Sequence, residues 1–261
     1  MKNSFSAMMA AGMLVLVPAA GAGLVEGWDF ELGPEVGHFQ YRESHFMREY
    51  GMQYGGYLAL GLRLVQPWHF QFFGSYVGGD ITYDGGYCAI WGCRPLKGDS
   101  SNFIINIRGL AGYRLTAGKF RIMPYSGFGY RYLDNDLRDL ETRWYLLGMG
   151  YLRQQTYLYL PLGCELALPV SRDGRWELGL RGEFDWMFYG FHVADGIRLD
   201  NQSGWGFRLA SFLLRELDDN LAIKLELSAE YWKIGESDIN RGFLEPANAS
   251  NYYSCRLGLV F

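Results

Sequence analysis

The sequence is short of what a metalloenzyme or a nucleic-acid-binding protein needs. Four histidines and four cysteines are spread over 261 residues. The cysteines do not form two CxxC pairs and no histidines cluster beside them, which argues against structural zinc and leaves no cofactor to expect. Basic residues are in the minority, 24 Lys and Arg against 28 Asp and Glu, for a formal net charge of −4. Without a Lys/Arg stripe nothing neutralises a phosphate backbone, so nucleic acid is not an expected partner. Beyond the first two dozen residues there are no Ala-rich stretches and no sustained helical period.

What remains is material for strands and tight turns. Hydrophobic residues make up 49% and aromatics 17%, with 35 glycines, a mixture that favours pleated sheet. The N-terminus is the exception. Lys2 provides a positive start, Ala7 to Val17 an apolar stretch, and Pro18-Ala19-Ala20-Gly21-Ala22 a small-residue cleavage site. Residues 1–22 therefore read as a cleaved signal peptide and 23–261 as one domain. The apolar stretch is too short for a transmembrane helix, and no Cys follows the site to take a lipid anchor.

From residue 28 onward the chain falls into about ten segments with apolar residues at alternate positions, each ended by Gly, Pro, Asn or Asp. They run over 28–42, 52–65, 68–83, 101–116, 120–133, 153–169, 176–191, 203–215, 221–234 and 251–261. Short connections (65–68, 116–119, 170–175, 216–220) alternate with long ones (43–51, 84–100, 134–152, 192–202, 235–250). Short turns on one side, long loops on the other and an even strand count describe an antiparallel transmembrane β-barrel whose termini face the periplasm.

The strand faces carry the same message. In 158–168 one face reads Leu158, Leu160, Leu162, Cys164, Leu166 and Leu168, and the other Tyr159, Pro161, Gly163, Glu165 and Ala167. A soluble sandwich buries its greasy face, whereas a membrane barrel turns it to lipid and encloses the charges. The signal peptide, the loop asymmetry and aromatics near strand ends (Trp68, Phe70, Tyr113, Tyr130, Tyr132, Trp205, Tyr231) favour the barrel. Pro124 and Pro161 each remove a ladder donor and are read as bulges.

The last residues, Tyr253 to Phe261, are apolar at every second position and end on an aromatic. This resembles the terminal strand of outer-membrane β-barrel proteins, in which such a pattern is recognised by the barrel assembly machinery. The resemblance assigns that role to Tyr253, Leu257, Leu259 and Phe261. Segments such as Gly127-Phe128-Gly129-Tyr130-Arg131-Tyr132-Leu133 and Tyr157 to Gly163 look like those of small, largely uncharacterised outer-membrane β-barrels. That family implies the outer membrane as location, with its lipid and lipopolysaccharide as surroundings, and no assigned reaction.

Inward charges of both signs include Arg108, Arg181, Glu183, Asp185, Arg208, Glu226 and Arg256. A buried charge is costly unless paired, so these are expected to form a mutually neutralised lumen network. A narrow solute path is the alternative, since ten strands lie near the size at which side chains fill the interior. Cys88 and Cys93 bracket a small loop and are expected to form a disulfide in an oxidising compartment.

Asp80 and Asp84 end one segment, and His192 and Asp195 end another. Facing each other across the mouth, they would resemble the water-activating Asp and His groups of omptin proteases, although here the residues are four and three apart rather than two. The main expectation is a non-enzymatic barrel whose extracellular loops serve a structural role or bind a surface ligand of unknown identity. The loops 84–100 (Tyr87, Trp91, Arg94, Lys97) and 134–152 (Arg138, Arg143, Trp144, Tyr145) offer the aromatic and charged groups for it.

Overall fold

A computed structural model describes residues 25–43, 47–64, 67–89, 92–138, 140 and 151–261; the expected signal peptide lies outside them. Every regular element among the described residues is a strand: β1 (Val25–Glu43), β2 (Met47–Leu64), β3 (Trp68–Ala89), β4 (Gly92–Tyr113), β5 (Leu115–Ala117), β6 (Phe120–Asp136), β7 (Leu152–Pro169), β8 (Trp176–Ala194), β9 (Ile197–Asp200), β10 (Gly204–Asp218), β11 (Leu221–Ile234) and β12 (Asn248–Val260). All pairings are antiparallel. β8 pairs with β10 and β12 with β1, so ten strands close into a barrel, while β5 and β9 are short extensions on β6 and β8. Closure leaves no free edge, which is the condition for a sheet in hydrocarbon.

The alternation seen in the sequence sorts the side chains. Leu162, Leu166, Leu178, Leu180, Phe184 and Trp186 are exposed on the outer surface, whereas Tyr159, Glu165, Glu183 and Asp185 are buried inside. Trp68 and Tyr113 meet edge to face, 5.3 Å apart, at the short-turn end of the outer wall. Inward glycines make room for large rings on the next strand. A Cβ at Gly129 would fall 2.1 Å from the ring of Tyr159, its cross-strand partner, and one at Gly179 would fall 2.0 Å from Phe212.

Two expectations about the strands are corrected. The segments 43–51 and 84–100 are largely ladder rather than loop. β1 and β2 pair as far as Glu43 and Met47, and β3 and β4 as far as Ala89 and Gly92. Beyond a membrane the backbone still needs hydrogen-bond partners, and continuing the hairpin supplies them. Pro124 and Pro161 are not bulges: β6 and β7 keep one register past both. The irregularity lies between β7 and β8, where Leu158 faces Tyr189 but Tyr159 faces Met187, leaving Phe188 as the extra residue. That insertion reverses the parity of β8, so Trp186 and Phe188 point outward while His192 points inward.

Candidate functional site

The middle of the lumen is filled by charge pairs that the inward alternation brings together. Glu183 on β8 accepts hydrogen bonds from Arg108 of β4 and Arg208 of β10, the shortest at 2.9 and 2.6 Å. Arg208 also donates to Glu230 of β11 at 3.0 Å, and Glu230 takes bonds from Arg131 of β6 and from the Trp232 indole. Asp185 lies 3.6 Å from Arg208. Lower down, Arg256 bridges Glu35 (3.0 Å) and Glu226 (2.9 Å), and Arg181 holds Glu165 at 2.6 Å. Arg108 and Arg256 also lie over the ring of Phe73, at 4.5 and 4.9 Å. All seven charges named for the lumen from the sequence are inside, each with an oppositely charged neighbour.

This arrangement reverses that of a soluble protein, with ion pairs enclosed and Leu, Phe and Trp on the surface. Only surroundings of hydrocarbon make such a distribution favourable. The chain is a closed antiparallel β-barrel with a lipid-facing outer wall. No known protein family matches the sequence, and no curated protein does. Among solved structures, the barrel is similar to the translocator domain of the autotransporter NalP from Neisseria meningitidis, at 10% identity over 90% of this chain and 88% of that one, with a TM-score of 0.45. It is also similar to the outer membrane protein OprG from Pseudomonas aeruginosa (8% identity, 90% and 95% covered, TM-score 0.36) and to neisserial surface protein A (11%, 90% and 98%, 0.36).

At the long-loop end a second cluster closes the lumen, and sequence reasoning did not single it out. Arg153 of β7 donates to Glu43 of β1 and Glu49 of β2, both at 2.7 Å, and Asn135 of β6 donates to Glu49 at 2.6 Å. Gln155 donates to the Tyr41 hydroxyl at 3.1 Å and lies 2.7 Å from His192 Nε2. The connection between β11 and β12 adds Glu245, which is 3.2 Å from both the Tyr41 hydroxyl and His192 Nε2 and is buried. Burial pushes the Glu245 carboxyl up to about 8; Arg153 opposes the rise and Glu43 adds to it.

That connection is held from several sides. The Ser237 amide donates to the Glu245 carbonyl (3.0 Å), Asp238 and Asp200 exchange two bonds, and Asn240 donates to the Arg198 carbonyl (2.9 Å). Its tip, Asn240 to Phe243, turns through Arg241 and Gly242, both at positive φ, as a type I′ turn requires. Ile239, Phe243 and Leu244 project from it into water, Ile239 with 73% of its surface exposed.

The omptin-like quartet does not assemble. Asp80 and Asp84 lie at outward positions of β3, with Asp84 bound to Arg48 at 2.6 Å on the outer surface. His192 is inside the lumen, on the opposite face of the wall. Asp195 sits at φ 46° beside Gly196 in the two-residue turn joining Ala194 to Ile197, and its carboxylate accepts the Leu152 amide at 3.2 Å. An Asp-Gly pair between two strands is turn chemistry. Among the described residues, no group of three or more His, Cys, Asp and Glu is placed to hold a metal ion.

The remaining candidates are placed as follows. Cys88 and Cys93 are direct backbone partners across the β3–β4 hairpin, while their side chains lie outside the described residues, as do those of Tyr87, Trp91 and Arg94. Lys97 is exposed, Arg138 binds Asp136 at 2.6 Å, and 141–150 lies outside the described residues. Tyr253, Leu257, Leu259 and Phe261 form the outward row of β12 and its end, each more than 40% exposed. At the short-turn end the lumen opens into a vestibule of about 610 Å³.

Proposed function

We propose that this protein is a closed, non-enzymatic outer-membrane barrel that acts at the cell surface through its loops. The observation that carries this reading is the chain Arg108–Glu183–Arg208–Glu230–Arg131, which ties β4 to β8 and β6 to β11 across the bore. A solute path would have to break several buried ion pairs, each costly to open. The Arg153 cluster and Glu245 add a second layer above it.

The segment 235–247 supports the second half of the proposal. It is pinned at both ends and at its turn, yet presents Ile239, Phe243 and Leu244 to water. Apolar side chains on a rigid loop lose little entropy on binding and suit a protein surface as partner. Outer-membrane lipid and lipopolysaccharide would surround the apolar belt, and the assembly machinery would engage β12 during biogenesis.

Planar-bilayer recording tests the proposal. The wild type is expected to give no unitary conductance, while Arg131→Ala combined with Trp232→Ala gives leak by clearing the bore. Steady single-channel steps from the wild type would replace this reading with that of a narrow channel.

A further inference from the structure

We propose that the vestibule at the short-turn end holds a binding site for a small oxyanion, a carboxylate or a phosphate, gripped by Arg114 together with Arg63 and His69. The three lie on one wall. Arg63 of β2 is the direct cross-strand partner of His69 of β3, and Arg114 follows β4 immediately. All three line the 610 Å³ cavity, a volume suited to a small organic ligand.

Charge accounting singles out Arg114. Arg63 is neutralised by Asp29 at 2.8 Å, Arg121 by Glu177 at 2.5 Å, Arg181 by Glu165 at 2.6 Å and Lys224 by Glu31 at 3.0 Å. Arg114 has no ion-pair partner among the described residues, and the adjoining turn residues Val65 and Gln66 carry no carboxylate. Arg121 and Arg63 repel it, and Asp29 and Glu165, each already paired with another arginine, offset this only in part. A half-buried guanidinium beside two others is unfavourable unless an anion joins them.

Hydrogen-bond accounting points the same way. The Nε of Arg63, the Nε of Arg114 and the Nδ1 of His69 are all buried without a partner among the described residues. Buried polar nitrogens are normally satisfied, and three unpaired ones on neighbouring strands, just beneath the cavity wall, are groups that an oxyanion settling against that wall can meet. The lining as a whole is acidic, with Glu216, Asp218 and Asp219 on the opposite rim, so the attraction for an anion is local to the wall that carries Arg114. This site opens at the end opposite the loops and is independent of what they bind.

Calorimetric titration of the full barrel in detergent micelles tests it, using inorganic phosphate and succinate separately, at ionic strength held constant with chloride. Saturable binding of at least one is expected; preference for phosphate indicates a phosphorylated ligand and preference for succinate a carboxylate. Arg114→Gln weakens binding by about tenfold or more, since a charge-assisted bond is lost. Arg172→Gln, an exposed turn residue at the same end, leaves it unchanged. Should Arg114→Gln fail to assemble, His69→Gln asks the same question and is expected to weaken binding by a smaller factor. Absence of saturable heat with both anions, or wild-type affinity in the variant that assembles, overturns the site.

Discussion

Glu183 Oε1 accepts from two guanidiniums at once, Arg108 at 2.9 Å and Arg208 at 2.6 Å, and so joins strands on opposite sides of the bore. Glu183→Ala leaves Arg108 with no ion pair among the described residues and Arg208 with Glu230 and a more distant Asp185. Removing one partner of a buried pair typically costs about 3–5 kcal/mol. The temperature at which the folded band shifts on a heat-modifiability gel is expected to fall well below that of the wild type. An unchanged transition would mean that the network contributes no stability.

The loop carboxyl of Glu245 makes closure of the 235–247 segment dependent on pH. Its value of about 8 when the loop is in place exceeds the ordinary 4.5. A raised acid favours the closed form fully below the ordinary value, and that contribution is lost as pH rises through the folded value. Trypsin cleavage at Arg241 on intact cells should therefore match that of Glu245→Gln near pH 5 and exceed it above pH 8. Equal rates at both pH values would remove the titration from the account.

At the seam, Phe261 and Phe30 exchange two backbone hydrogen bonds, at 2.8 and 3.1 Å, and their rings lie 6.4 Å apart. Deleting Phe261 removes the bonds and the ring, whereas Phe261→Ala removes the ring alone. Both are expected to lower the amount of heat-modifiable barrel in membranes, the deletion more. Normal levels of both would contradict a role in assembly.

Direct cross-strand partners have Cα atoms about 4.5–5.5 Å apart, within the range a disulfide bridges. Register thus supports a Cys88–Cys93 bond in the β3–β4 hairpin. Non-reducing peptide mapping should find the two linked, with Cys164 and Cys255 free. Two alkylated thiols at 88 and 93 would reject the bond.

The inside and outside of the barrel were legible because one residue type dominates each face: Leu162 and Leu166 against Glu165, Phe184 against Glu183 and Asp185. Three things were not. The extension of β1–β4 past the membrane lacks that contrast, since its outer face meets water and its inner face mixes Glu49 with Met47 and Leu96, which join an apolar cluster around Tyr83 and Leu140. The parity change at Phe188 hides in the run Trp186-Met187-Phe188-Tyr189, which is apolar whichever way it faces. Pairings such as Arg153 with Glu49 and Glu43 depend on which strands oppose each other across the bore, and Glu245 comes from a segment without period. The omptin-like reading failed for a related reason: closeness to a strand end does not specify a face.

The orientation of the strands is tested most directly by spin labels at Leu227 and Leu209, both more than half exposed on the outer wall, in a variant whose cysteines are serine and which is reconstituted in lipid. Collisions with dissolved oxygen should be frequent at both sites and collisions with a water-soluble nickel chelate rare. High chelate accessibility at both, together with recovery of the mature chain from periplasm without detergent, would contradict a lipid-facing outer wall.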